Sequence, residues 1–248
     1  MTTFHVITLF PESLGSYLKA SILRRAQEDG HIAVKYYNPR DFAMAKKKKV
    51  MTYAERRVDD RPYGGGPGMV MEAMPVIRAI EAAIKNATKE LSNDGTIHNK
   101  LKSRGKMPKG NLRSKVKIIF FSPSGKQFTN KVADKFKKFT DIILVCGRYE
   151  GIDARVKKTF PMVDISVGPY ILTGGELPAM IVIDSVARRI EGVLGDHLSI
   201  EESRVVSPDV YTRPEVIEYG GKKLRVPKIL LSGHHARMDE WKEGRKSR

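Results

Sequence analysis

The chain has 248 residues, 45 Lys or Arg against 28 Asp or Glu, a formal net charge of +17 and a sequence pI near 9.9. That length supports one good core and a small second module, and that charge exceeds what solubility requires, pointing to a polyanionic partner, nucleic acid ahead of an anionic membrane surface. A single cysteine, Cys146, excludes an internal disulfide, and the adjacent His234 and His235 lack companion ligands for a metal site.

Along the chain, apolar β-rich segments alternate with helix-patterned ones. Strands are predicted at 4–10, 32–37, 116–121, 142–146 and 163–167. Between them, Leu14, Leu18 and Ile22 mark one helix, Val76, Ile77, Ile80 and Ile84 a second, and Val132, Phe136 and Phe139 a third. This alternation predicts an α/β domain with a mainly parallel sheet covered by helices. Segment 85–117 carries ten Lys or Arg against two acidic residues and few large apolar groups, so it reads as a basic excursion that either stays solvated or touches phosphates. The lysines at 46–49 present the same choice. From Asp196 the apolar pattern lapses into a polar linker, 196–206, followed by a small basic module, 207–248. No apolar run approaches the roughly 20 residues needed to span a bilayer, and "MTTFHVITLF" lacks the features of a signal peptide, so a cytoplasmic protein is expected.

Four glycine-containing stretches interrupt the elements. "DDRPYGGGPGM" at 59–69 is neither the dinucleotide fingerprint nor a P-loop, and "SPSGKQF" at 122–128 fails the same test. "CGRYEGID" at 146–153 directly follows an apolar strand, at the carboxyl end where open α/β sheets place ligands. Arg148 and Glu150 could act there or form a surface ion pair, and spacing alone does not choose. In "ISVGPYILTGGELPAMIVIDSVARR" at 165–189, a strand-like segment reaches a loop of exposed backbone groups that abuts a helix start. Pro178 suits a first helical turn, and Met180, Ile183, Ala187 and Ile190 recur at helical spacing. Such a junction binds a ligand by its backbone.

In order, "DDRPYGGGPGM", "SPSG", "CGRYEGID", "SVGPYILTGGELPAM", "VARRIEGVLG", "YTRPEV" and "VPKILLSGHHARMDEW" closely resemble the bacterial tRNA (guanine-N1) methyltransferases of the TrmD type, from Phe4 to Trp241. The resemblance implies a SPOUT-class domain over 1–195, ending in a deep trefoil knot and carrying the basic insert, then a small mainly helical module that binds tRNA, the whole working as a homodimer. It implies S-adenosylmethionine held in the knot by Ser122, Pro123, Gly147, Val167, Gly168, Pro169, Tyr170, Ile171, Leu172, Gly174 and Gly175. Glycines suit such a wall because a Cβ would hold the ligand away from the backbone. It also implies tRNA contacts at Asp60, Arg61, Pro67, Gly68, Tyr149, Glu150 and Ser199, and methylation of N1 of the guanosine immediately 3′ of the anticodon (position 37 of the tRNA). Any dependence on Mg2+ leaves no mark in the sequence.

Guanine N1 carries a proton at neutral pH, so attack on a methyl sulfonium needs a base near N1 and a cation or N–H donor near O6, where negative charge develops. In the family an Asp of the linker is the base and an Arg after the knot is its partner; Arg188 matches that arginine. The Asp has no direct counterpart in "SIEESRVV": Glu202 is preferred, Glu201 rivals it, and Ser203 lacks basicity. Pro169 departs from the family's usual Asp, removing a carboxylate and an N–H together. The tail after Trp241 is shorter than in relatives, and the insert is longer. These departures leave an alternative, an RNA-binding protein of the same fold with lost or altered methyl transfer.

Overall fold

The computed structural model describes residues 1–43, 56–91, 115–194 and 209–244. They belong to two compact units, Met1–Leu194 and Gly195–Arg248. In chain order the first unit runs β1 (Thr2–Ile7), α1 (Glu12–Leu18), α2 (Ser21–Glu28), β2 (Ile32–Tyr37), the short pair β3 (Asp59–Asp60) and β4 (Val70–Met71), α3 (Ala73–Leu91), β5 (Val116–Gln127), α4 (Asn130–Phe136), β6 (Asp141–Val145), α5 (Arg155–Thr159), β7 (Val163–Ser166) and α6 (Glu176–Ala187). The five longer strands form an all-parallel sheet in the order β2-β1-β6-β5-β7.

A parallel sheet covered on both faces needs apolar side chains on both, and the central strands supply them. From β6, Ile142 and Leu144 join Phe4 and Val6 of β1 in a core shared with α1, α2, α4 and α6. Ile143 and Val145 face the other way, with Ile118 and Phe120, into a second core built on Val76, Ala79, Ile80 and Ala83 of α3. The period-2 alternation of the strands thus divides one sheet between two helical layers.

Several boundaries differ from expectation for local reasons. β1 stops at Ile7 rather than Phe10 because the Thr8 hydroxyl accepts a hydrogen bond from the Phe10 N–H (3.0 Å), turning the chain. The helix expected through Ile22 breaks after Leu18. Ser21 adopts a φ of 48° and shifts the phase by one residue, so that Leu23 and Ala26 continue the buried face while Ile22 is exposed. The 85–117 insert is framed by regular structure at both ends: α3 continues to Leu91, burying Ala87 and Thr88, and β5 begins at Val116. On α6, Ile183 and Ala187 are wholly buried and Met180 packs against the core, so plain core packing accounts for all three.

The second unit is less helical than expected. It carries an antiparallel hairpin, β8 (Val216–Tyr219) with β9 (Lys222–Arg225), then a 3-10 turn at Lys228–Leu231 and α7 (His235–Glu243). Gly220 and Gly221 join the strands at φ 58° and 73°, the doubly positive pair that a two-residue hairpin turn demands. Tyr211 and Trp241 approach within 6.4 Å between ring centroids.

Candidate active site

The chain leaves β5 for β6 on one side and then places β7 on the other, so the carboxyl ends of these three strands open together. A cavity of about 330 Å³ lies there, within the range of small-molecule sites. Its first wall is a bulge in β5: Phe121 and Lys126 both register against Ile165 of β7, and the intervening Ser122 to Gly125 are pushed out of the ladder. Gly125 makes this geometry feasible, since a Cβ there would stand 2.6 Å from the Ile165 backbone nitrogen. Ser122 and Pro123 line the cavity from the bulge, and the Ser122 and Ser124 hydroxyls are 3.0 Å apart.

The second wall is the irregular segment between β7 and α6. Val167, Gly168, Tyr170, Ile171, Leu172, Gly174 and Gly175 all line the cavity, as does Gly147 after β6. Pro169 is exposed and lies outside the lining. Ser166 braces the turn, its hydroxyl donating to the Gly168 carbonyl (3.0 Å), while the Tyr170 hydroxyl donates to the Val167 carbonyl (3.2 Å) and its ring folds over Gly168. The glycines prove necessary for a reason other than ligand approach. A Cβ on Gly175 would sit 2.5 Å from the Cys146 Cα, and one on Gly174 would strike Arg148 and Glu176. They permit one loop to cross another. Phe121, Ile165, Ser166, Thr173 and Pro178 also line the cavity and are not among the cofactor contacts expected from sequence.

Arg148 does not pair with Glu150. Its Nε lies 3.0 Å from Oε2 of Glu176, the first residue of α6, and its guanidinium stacks over Phe10 at 4.6 Å from the ring centroid. Glu176 is 3% exposed, and its other oxygen accepts a 2.6 Å hydrogen bond from the buried Thr8 hydroxyl. Nothing in the local sequence signals these partners, which come from β1's end and from α6. Beside them, burial pushes the Cys146 thiol well above its usual range, with the Glu176 carboxylate adding to the shift. Cys146 is therefore an inert thiol rather than a nucleophile.

The glycine-rich segment 59–69 is stitched to the same wall. Glu150 N–H donates to Met69 O (3.0 Å), Met71 N–H to Gly151 O (2.9 Å) and Asp153 N–H to Met71 O (3.0 Å). Gly64, Gly65, Gly66 and Gly68 all hold positive φ, and a Cβ on Gly68 would meet the Glu150 carboxylate at 2.5 Å. Asp60, Arg61, Pro67 and Gly68 are exposed around this loop, and exposed Tyr149 and Glu150 form the rim it shares with the cavity. Arg188 lies elsewhere. It caps the carboxyl end of α6, a 12-residue helix about 18 Å long, whose opposite end carries the cavity residue Pro178. Ser199, Glu201, Glu202 and Ser203 lie outside the described residues.

A cavity at the carboxyl ends of a parallel sheet, beside a glycine-rich loop on a chain of net charge +17, is the candidate small-molecule site. The family model for tRNA (Guanine-1)-methyltransferase TrmD matches residues 2–248, and the chain belongs to that family. A tRNA (guanine-N(1)-)-methyltransferase of Lachnoclostridium phytofermentans is 39% identical over 246 residues, covering 96% of this chain and 84% of the relative. One of Clostridioides difficile is 40% identical over 243 residues, covering 96% and 90%. One of Caldanaerobacter subterraneus is 42% identical over 245 residues, covering 96% and 84%.

Proposed function

We propose that the chain transfers a methyl group from S-adenosylmethionine to N1 of the guanosine 3′ of the anticodon in tRNA, in the cytoplasm and as a homodimer. The observation that carries this reading is the convergence, on one cavity, of the β5 bulge, the Cys146–Gly147 turn and the loop before α6, within a chain matched over its length by the family model. The lining fits the donor: Phe121, Ile165, Val167, Leu172 and Pro178 offer an apolar bed, and the surrounding loops offer main-chain N–H and C=O groups for an adenine edge. When bound, S-adenosylmethionine supplies an electrophilic methyl sulfonium. The deep knot of the SPOUT class is proposed for the segment that forms this wall.

The remaining work falls to the chain's own residues. Glu202 is proposed to take the N1 proton and Arg188 to stabilise charge at O6, while Asp60, Arg61 and the loop through Gly68 hold the nucleotide near the Tyr149–Glu150 rim. Because Arg188 stands one helix length from the cavity of its own chain, the reading assigns a complete site to two subunits. The exposed apolar face of α6, with Leu177 53% and Ile181 42% exposed, supports such an assembly. Calorimetric titration tests the cofactor reading: S-adenosylmethionine should bind without added metal and be displaced by S-adenosylhomocysteine. Absence of heat and of competition at millimolar ligand would contradict it.

A further inference from the structure

We propose that Glu176 is a positioning residue that supplies the counter-charge for Arg148, so that a cationic methyl donor can occupy a cavity walled by an arginine. The inference rests on the reading of the cavity as the S-adenosylmethionine site. The donor carries a sulfonium and an ammonium against one carboxylate, for a net charge of +1, and the demethylated product has lost the sulfonium charge. The protein it enters carries +17, and Arg148 lines the cavity. A second guanidinium, Arg40, stands 5.3 Å from the Phe10 ring that also carries Arg148. Without compensation these cations would repel the donor more than the product.

Glu176 is built to prevent that. Its carboxylate is 4% exposed at the side chain and lies 3.0 Å from the Arg148 Nε, so its field acts through low dielectric rather than through water. It is fixed from behind by Thr8, whose own hydroxyl is fixed by the Phe10 N–H, and Phe10 closes the circuit by bearing the guanidinium on its ring. The N-terminal end of α6 further favours negative charge at this position. Glu176 stands behind Arg148 rather than in the cavity lining, whereas Glu150, which does line it, is exposed, and solvent screens it.

The test compares binding of S-adenosylmethionine and S-adenosylhomocysteine by calorimetry to the wild-type chain, Glu176→Gln, Arg148→Met and the double variant. Glu176→Gln is expected to weaken the sulfonium ligand on the order of tenfold while changing the thioether by no more than about twofold. Arg148→Met should shift the ratio the opposite way, and the double variant should return it to the wild-type value. If one single variant fails to fold, the other and the double variant still fix the sign. Equal loss of both ligands, or an unchanged ratio in the variants, overturns the counter-charge role and leaves Glu176 a scaffold. Wild-type protein that binds neither ligand overturns the cavity reading itself, and this inference with it.

Discussion

The backbone N–H of Gly175 donates to the carbonyl of Gly147 across 3.0 Å, fastening the loop before α6 to the turn after β6. The second wall of the cavity depends on that crossing. Gly175→Ala would set a methyl 2.5 Å from the Cys146 Cα and 3.0 Å from the Gly147 nitrogen, with backbone rather than a pliable side chain in the way. The expected cost is about 1–3 kcal/mol of stability, with loss of cofactor binding, measured by thermal melting and calorimetry on the same sample.

Gly15 gives the opposite sign. It lies inside α1, and a Cβ there meets nothing within 4 Å. Gly15→Ala should stabilise the chain by about 0.5–1 kcal/mol through helix propensity and lost unfolded-state freedom. A melting temperature equal to or below wild type would count against the α1 assignment.

Cys146 should resist alkylation in the folded chain at alkaline pH and react in denaturant, since burial holds its thiol protonated. The folded-state pKa is raised. The thiol's contribution to stability is therefore present below the ordinary thiol pKa of about 8.5 and lost as pH rises through the folded value. Cys146→Ala should flatten the alkaline limb of a stability–pH curve, and an unchanged limb would show that another group governs it.

Much of this architecture was legible in the residues, and the exceptions share a cause. The sheet strands announced themselves because a strand buried on both faces is a continuous apolar run, as in "IILV" of β6. α5 spans only Arg155–Thr159, too short for periodicity to register. The cavity loops were found through long motifs, yet the purpose of their glycines was not: the partner of Gly175 is Cys146, brought there by tertiary crossing. The pairing of Arg148 with Glu176 was hidden likewise, since Glu150, two residues on, is the partner a local reading offers.

Affinity for tRNA should fall steeply with salt, since the charge of +17 acts through phosphate neutralisation. Structure narrows the deletion that tests the insert. Asn86 donates to the Tyr37 hydroxyl (3.0 Å) and α3 continues to Leu91, so residues 92–114 are the segment to replace with a short linker. That segment holds six basic residues, Lys100, Lys102, Arg104, Lys106, Lys109 and Arg113. If it binds RNA, the log–log slope should become shallower by about 0.9 for each phosphate that the shortened chain no longer neutralises. An unchanged slope would return it to the role of a solvated loop.

The most direct measurement is single-turnover methyl transfer from labelled S-adenosylmethionine to a tRNA transcript with guanosine 3′ of the anticodon, beside a transcript with adenosine there. The account predicts label on N1 of that guanosine alone. It also predicts losses on the order of 10²-fold or more for Glu202→Gln, partly rescued by raised pH, and a slowed chemical step for Arg188→Ala without such rescue. A wild-type chain that binds both cofactor and tRNA yet labels neither transcript would contradict it and favour an RNA-binding protein of this fold.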